Sequence, residues 1–350
     1  MVAPICIGDR QIGPDRPCFI IAEVGVNHDG RMDQARDLVN AAVAAGADAV
    51  KFQTFKADAL VARGAPKAAY QRRSKDDAES QSDMLKRLEL SYDQFRKLHE
   101  YCHLHGILFL STPFDEEAAD FLDTLGVPAF KIGSGEITNL PLLAHVAKKG
   151  KPILLSTGMS RLEEVEAAVG TIRDHGHHGL ALLQCIGIYP APAEDVNLRA
   201  MHTLATAFGV PVGYSDHTVG TEIALAAVAL GACIIEKHLT LNRLLPGPDH
   251  QASIEPAEFG ALVRGIRRVE MSLGDGLKVP TSRELETAAV ARRSLVAAKD
   301  ILAGTVLTDE LIAIRRPGTG LPPALKPSLI GRATRVDIPA GDLIALEMLS

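Results

Sequence analysis

Tryptophan is absent, and aromatic residues make up only 4% of the 350-residue chain. That removes the stacking platforms on which single-stranded nucleic acids are held. A basic excess is also missing: 37 Lys and Arg stand against 43 Asp and Glu, a formal charge of −6. This argues against nucleic acid as a partner and leaves room for a local basic pocket that takes a small anion. No apolar run reaches the ~20 residues of a membrane helix. The first thirteen residues show no basic segment leading into an apolar one, so the cytoplasm is the expected compartment, with no membrane partner. The five cysteines (Cys6, Cys18, Cys102, Cys185, Cys233) are odd in number and include no C-x-x-C pair. They read as reduced thiols, not as a disulfide framework or a zinc knuckle.

What is present is apolar and periodic. Hydrophobic residues reach 47% and charged ones 23%, enough for a sizeable core. Eight short, β-branched runs recur at Phe19–Ala22, Ala49–Phe52, Ile107–Leu110, Ala129–Ile132, Ile153–Leu155, Leu180–Leu183, Val212–Tyr214 and Cys233–Ile235. Each precedes a stretch with helical period. Continuous apolar strands alternating with helices predict a parallel sheet. Eight units within about 250 residues predict a (β/α)8 TIM barrel. An open doubly wound sheet is the alternative, but no Gly-rich dinucleotide fingerprint follows the first run. The expected layout is a barrel over residues 1–274, a linker over 275–285 and a small β-rich domain over 286–350. In that last segment Asp300-Ile301-Leu302-Ala303-Gly304 is echoed by Asp337-Ile338-Pro339-Ala340-Gly341, which suggests two similar halves. Residues 55–91 form a long charged connection (Arg63, Lys67, Arg72, Arg73, Lys75, Asp76, Asp77) of the kind that serves as a lid.

Barrel sites lie at the carboxyl ends of the strands, and all eight predicted ends carry a candidate ligand. His217 and His238 fall on neighbouring ends, within reach of one divalent ion. With no cysteine ligand beside them, an oxygen-rich remainder, including Glu236 through a water, suits Mn2+ or Mg2+. A hydrogen-bonded pair without metal is the competing reading. Lys51 and Lys131, with Thr112, Ser134 and Ser156, suit a phosphate or carboxylate, unless each lysine pairs with a core carboxylate such as Glu23. Glu23 itself suits a general base or a structural ion pair. Ser215, Gln184 and Tyr189 stand at further strand ends. Asp249, in Pro246-Gly247-Pro248-Asp249-His250, suits sugar hydroxyls or a turn bond. Arg316 sits on a Gly/Pro loop in Arg315-Arg316-Pro317-Gly318. His99, His103 and His105 lie in a helical stretch, and His175, His177 and His178 in a polar turn.

These motifs together form a pattern: Ala22-Glu23-Val24-Gly25-Val26-Asn27-His28-Asp29-Gly30, Lys51-Phe52-Gln53, Ser111-Thr112-Pro113-Phe114, Lys131-Ile132-Gly133-Ser134-Gly135-Glu136, Ser156-Thr157-Gly158-Met159, Ser215-Asp216-His217-Thr218, Glu236-Lys237-His238 and Gly247-Pro248-Asp249-His250. The chain closely resembles the bacterial N-acetylneuraminate (sialic acid) synthase family over nearly its whole length. The tail resembles that family's antifreeze-protein-like SAF domain, of β-clip type. The resemblance implies condensation of phosphoenolpyruvate with an N-acetylated hexosamine, N-acetylmannosamine first, giving N-acetylneuraminate and phosphate. The same reaction on a 2,4-diacetamido-2,4,6-trideoxyhexose, giving legionaminic or pseudaminic acid, is the near alternative. It implies His217 and His238 as metal ligands for Mn2+ or Mg2+. Lys51, Thr112, Lys131, Ser134, Ser156 and Ser215 would form the phosphoenolpyruvate cradle, with Glu23 the carboxylate beside the reacting carbons. Gln53, Glu136, Tyr189 and Asp249 would be sugar contacts. Arg316 would reach the acyl group in the partner subunit's barrel, implying a domain-swapped homodimer. Two positions depart from the family pattern: Gln184, where histidine is commoner, and Gly187, where Ser or Asn is. A lysine Schiff-base aldolase and a non-catalytic carbohydrate-binding module are the more distant rivals.

Overall fold

The computed structural model describes residues 2–62, 65–67, 71, 79–176 and 179–350. Arg63, Arg72, Arg73, Lys75, Asp76 and Asp77 of the long connection, and His177 and His178, lie outside the described residues. Internal contacts divide the chain into Met1–Gly274 and Asp275–Ser350.

The first unit contains eight parallel strands: β1 (Phe19–Gly25), β2 (Ala49–Thr54), β3 (Leu108–Pro113), β4 (Phe130–Ile132), β5 (Ile153–Ser156), β6 (Leu180–Cys185), β7 (Val212–Asp216) and β8 (Ile234–His238). Each lies beside its neighbours in sequence, β8 pairs with β1, and β3 packs against β4 to complete the ring. This is the TIM barrel expected from the sequence. A helix follows each strand, from Met32–Ala45 after β1 to Pro256–Leu273 after β8. Gly46 ends the first of these with φ 82°, a left-handed turn that glycine adopts without strain.

Strand periodicity explains where the polar residues go. Successive side chains alternate between the two faces. Ile20, Ala22, Val50, Phe52, Ile132, Leu155, Leu182, Tyr214 and Ile235 join the layer between strands and helices. Phe19, Ile21, Ala49, Leu110, Ala129, Leu154, Leu183 and Ile234 fill the barrel interior. Continuing the inward set toward the carboxyl ends reaches Glu23, Lys51, Thr112, Lys131, Ser156, Cys185, Glu236 and His238. The apolar plug thus occupies one end, and the ionisable residues the other.

An N-terminal antiparallel hairpin, Ile5–Ile7 with Arg10–Ile12, adds Ile5, Ile7 and Ile12 to the interior cluster. The sequence reading did not anticipate it, because two three-residue strands are too short for a periodicity signal.

The second unit pairs Ser294–Ala297 with Ile312–Arg315 around a core that includes Leu295, Leu307, Leu329, Ile338 and Ile344. The echo within it is structural. Ile301 and Ile338 form an antiparallel bridge, Asp337 accepts from the Ala303 amide, and Asp300 accepts from the Ala340 amide, both at 2.7 Å. The expected linker over 275–285, followed by strands without helices, needs correction: a helix runs from Ser282 to Ala291. Thr281 and Glu284 start it with a reciprocal capping box. None of its residues is buried, so it lacks the apolar stripe that would have revealed it.

Candidate active site

The carboxyl ends of the strands surround a cavity of about 540 Å³. Thirteen of the site residues singled out from sequence line it: Glu23, Lys51, Gln53, Thr112, Lys131, Ser134, Glu136, Ser156, Tyr189, Ser215, His217, His238 and Asp249. Arg316 belongs to the second unit, where it is exposed and donates from Nε to the Ala291 carbonyl at 3.0 Å. His99 and His103 lie on the helix Tyr92–Leu104 and His105 caps its end, away from the cavity lining.

One wall is cationic. Lys51 Nζ lies 2.8 Å from Glu23 Oε2, 3.1 Å from Thr112 Oγ1 and 3.8 Å from Glu236 Oε1. Lys131 Nζ donates to Ser156 Oγ at 2.7 Å and to the Ile132 carbonyl at 3.0 Å, and stands 3.8 Å from Glu236 Oε1. Both readings of the lysines therefore hold at once: they pair with core carboxylates and they converge on the cavity. Ser134 Oγ accepts from the Gly158 amide at 2.9 Å, which leaves its proton to donate. Ser215 donates to Glu236 Oε1 at 3.1 Å.

Burial sets the protonation pattern. It pushes the Glu23 carboxyl up to about 7, with Lys51 pulling the other way and Glu236 adding to the rise. It also lowers Lys131, reinforced by the neighbouring Lys51 against the pull of Glu236. For Lys51, burial is outweighed by Glu23 and Glu236, which hold the ammonium above its ordinary range. Burial lifts Asp249 to about 6, with His217 opposing.

The ends of β7 and β8 carry the imidazoles, with His238 in register with Glu23 of β1. Their centroids are 5.2 Å apart with planes at 70°, and Tyr189 stacks on His217 at 3.9 Å. His217 Nδ1 is 2.6 Å from the Ile186 carbonyl, which fixes the proton there and leaves the lone pair on Nε2. His238 is held well below its ordinary pKa by burial and then by the positive groups around it, so its ring is neutral. Its buried Nδ1 has no hydrogen-bond partner, nor does Glu236 Oε2, and Asp249 Oδ2 is 3.8 Å from that nitrogen. Orphaned donors of this kind fit a divalent cation. Among the described residues no three His, Cys, Asp or Glu groups converge into a closed cage, so water or substrate oxygens would complete the shell.

Several lining residues escaped the sequence reading. Cys185, 3.8 Å from His217 Nδ1, follows Leu183 on the inward face of β6, and the strand period alone could have placed it. Val26, just after β1, gives the cavity an apolar side together with Phe55, Met84 and Leu85 of the 55–91 connection, and only long-range packing reveals it. Lys67 of that connection pairs with Glu79 at 2.7 Å. The two departures from the family pattern differ in weight. Gln184 faces away from the cavity and donates to the Val196 carbonyl at 3.0 Å. Gly187 does line it, and a Cβ there would sit 2.9 Å from Met159 Cγ.

A closed parallel barrel with ionisable groups gathered at the strand carboxyl ends defines the chain as a (β/α)8 enzyme with a small appended β domain. Comparison with known proteins narrows the class. The NeuB family profile matches residues 38–278 and the SAF domain profile residues 292–350. The chain is 46% identical to an N,N'-diacetyllegionaminic acid synthase from Legionella pneumophila, over 97% of each sequence. It is 37% identical to the human N-acetylneuraminate-9-phosphate synthase, over 99% of this chain and 96% of that one. A crystal structure of the N-acetylneuraminic acid synthetase from Leptospira borgpetersenii superposes with a TM-score of 0.73 at 36% identity, covering 82% of this chain and 95% of that one. The chain belongs to the NeuB family of sialic-acid-type synthases. No helix among its described residues is long and apolar enough to cross a membrane.

Proposed function

We propose that this enzyme condenses phosphoenolpyruvate with the open-chain aldehyde of a 2,4-diacetamido-2,4,6-trideoxyhexose, giving a diacetylated legionaminic-type acid and phosphate. The observation that carries the reaction is that two buried lysines and three hydroxyls share one cavity with a pair of imidazoles, of which His238 has a buried nitrogen without a partner. The choice of sugar is supported by the apolar side formed by Val26, Phe55, Met84 and Leu85, which suits a deoxy methyl group and a second acetyl group better than hydroxyls. Two relatives at 46% and 44% identity bear the name of that product's synthase. N-acetylmannosamine, placed first on sequence alone, is the second reading.

In this reading Lys51 and Lys131 neutralise the phosphate and carboxylate of phosphoenolpyruvate, and Thr112, Ser134, Ser156 and Ser215 provide or support the hydrogen bonds around them. C3 of the enol phosphate forms the new bond to the sugar C1 as the C=O π bond opens, and the resulting alkoxide oxygen takes up a proton from solvent. A bound divalent cation, Mn2+ or Mg2+ at His217 and His238, would supply Lewis-acid polarisation of that aldehyde. Glu23 accepts a proton from the water that adds to the electron-poor C2. The tetrahedral carbon then expels phosphate by C–O cleavage, its hydroxyl proton passing to the departing phosphate, which leaves the 2-keto acid. Gln53, which donates to Glu23 Oε1 at 3.0 Å, Glu136, Tyr189 and Asp249 orient the sugar. Arg316 binds an acyl group from the C-terminal unit of a partner copy, which makes the working form a homodimer.

The test is to incubate the chain with phosphoenolpyruvate, Mn2+ and a panel of acylated hexosamines, and to identify products by mass. Phosphate release that EDTA abolishes, with the diacetamido product formed fastest, is expected. A faster N-acetylneuraminate product would favour the second reading. Binding without turnover, or a borohydride-trapped lysine adduct, would refute the synthase.

A further inference from the structure

Tyr214 on β7 and Ile235 on β8 are register partners in the apolar layer under the helices. The next helix-facing pair on the same strands is Asp216 and Lys237, also register partners, and both are 0% exposed. Lys237 Nζ donates to Asp216 Oδ2 at 2.7 Å and to the Thr218 carbonyl at 2.6 Å. Asp216 Oδ1 accepts from the Thr218 amide and hydroxyl, both at 2.8 Å. The ion pair thus grips the amide and carbonyl of the residue after His217, while Asp216 precedes His217 and Lys237 precedes His238. Neither side chain lines the cavity.

Stability alone does not explain a charge pair in this layer, since desolvation offsets most of its attraction and a well-packed apolar pair is often as good or better. What four charge-assisted bonds provide is geometry. They tie the backbone on both sides of one imidazole to the strand that carries the other. We infer that Lys237 and Asp216 are positioning residues, locking His217 and His238 at the spacing that binds the divalent cation. This rests on reading the histidine pair as the metal site.

The experiment measures Mn2+ affinity of the chelator-stripped full chain from the free-Mn2+ EPR signal, beside the thermal midpoint of the metal-free protein. Lys237→Met combined with Asp216→Asn removes both charges together, so no lone ion is stranded. The expected result is Mn2+ binding weakened about 10- to 100-fold, the range for outer partners of metal ligands, with the metal-free midpoint held or raised. Thr218→Val, which deletes a single hydroxyl bond, should weaken binding severalfold, and it decides the matter if the double variant does not fold. Affinity within twofold of wild type, or a loss matched by a fall in the metal-free midpoint, would overturn the inference. A wild-type chain that binds no Mn2+, or a His217→Ala variant that binds it normally, would overturn the metal reading and this inference with it.

Discussion

Lys51 Nζ lies 2.8 Å from Glu23 Oε2, whereas Lys131 Nζ stands 3.8 Å from Glu236 Oε1. The two lysines serve the same proposed anion but differ in what their removal leaves behind. Lys51→Met strips two buried carboxylates, Glu23 and Glu236, of their shared cation, and breaking a buried pair in this way costs about 3–5 kcal/mol. Lys131→Met removes an ammonium that burial already disfavours, while Glu236 keeps Ser215 and Lys51. Urea denaturation should show Lys51→Met to be clearly the less stable, with KM for phosphoenolpyruvate raised at least about tenfold in both. Equal stability losses would contradict the asymmetry.

The imidazole pair separates binding from folding. His238 Nδ1 has no hydrogen-bond partner, so His238→Ala forfeits no bond at that atom. The variant, and His217→Ala with it, is expected to lose tight Mn2+ binding and phosphate release. Its far-UV circular dichroism and metal-free unfolding midpoint should stay close to wild type. Turnover by either variant in chelator-treated buffer would refute the ligand assignment.

Acid stability should report on His28, away from the proposed metal ligands. Burial lowers its pKa from 6.5 to about 4, against the pull of Asp29. The folded state therefore holds the neutral ring, and between those values the unfolded chain binds more protons. The stabilisation is complete above pH 6.5 and is lost as pH falls toward 4, reaching a loss of about 3 kcal/mol. His28 Nδ1 accepts from the Gly30 amide at 3.0 Å, a bond that His28→Asn can replace. Between pH 7.5 and 5 the unfolding free energy of wild type should drop more steeply than that of His28→Asn; parallel curves would rule the group out.

The barrel was readable because its signal is redundant: eight apolar runs, each followed by a helical period, admit few other architectures. The inward residues were readable because strand alternation carries Ile21 to Glu23 and Ala49 to Lys51 by rule. The N-terminal hairpin and the helix Ser282–Ala291 were not, since neither bears a periodic apolar stripe long enough to register. The apolar side of the cavity escaped for another reason. Val26 and Met84 are 58 positions apart, and only the folded connection brings them together. Lys237 sits between Glu236 and His238, yet the same alternation that turns those two inward turns it outward.

Gly25 shows how closely the backbone itself shapes the site. It follows Glu23 at an irregularity in the β1–β2 ladder with φ +40°, and a Cβ there would stand 2.7 Å from Glu23 Oε1 and 2.9 Å from Gln53 Nε2. Gly126 also has a left-handed φ, +86°, but nothing lies within 4 Å of its Cβ position. Both Gly→Ala changes should cost about 1–2 kcal/mol in backbone strain, measurable by denaturation. Only Gly25→Ala must also displace the carboxylate proposed as the base, and a 1 Å misplacement of a catalytic group can cost about a hundredfold in rate. The expected outcome is a tenfold or greater fall in kcat for Gly25→Ala, with Gly126→Ala at wild-type turnover. Equal kcat in the two variants would mean that Glu23 tolerates displacement and is not the proton acceptor.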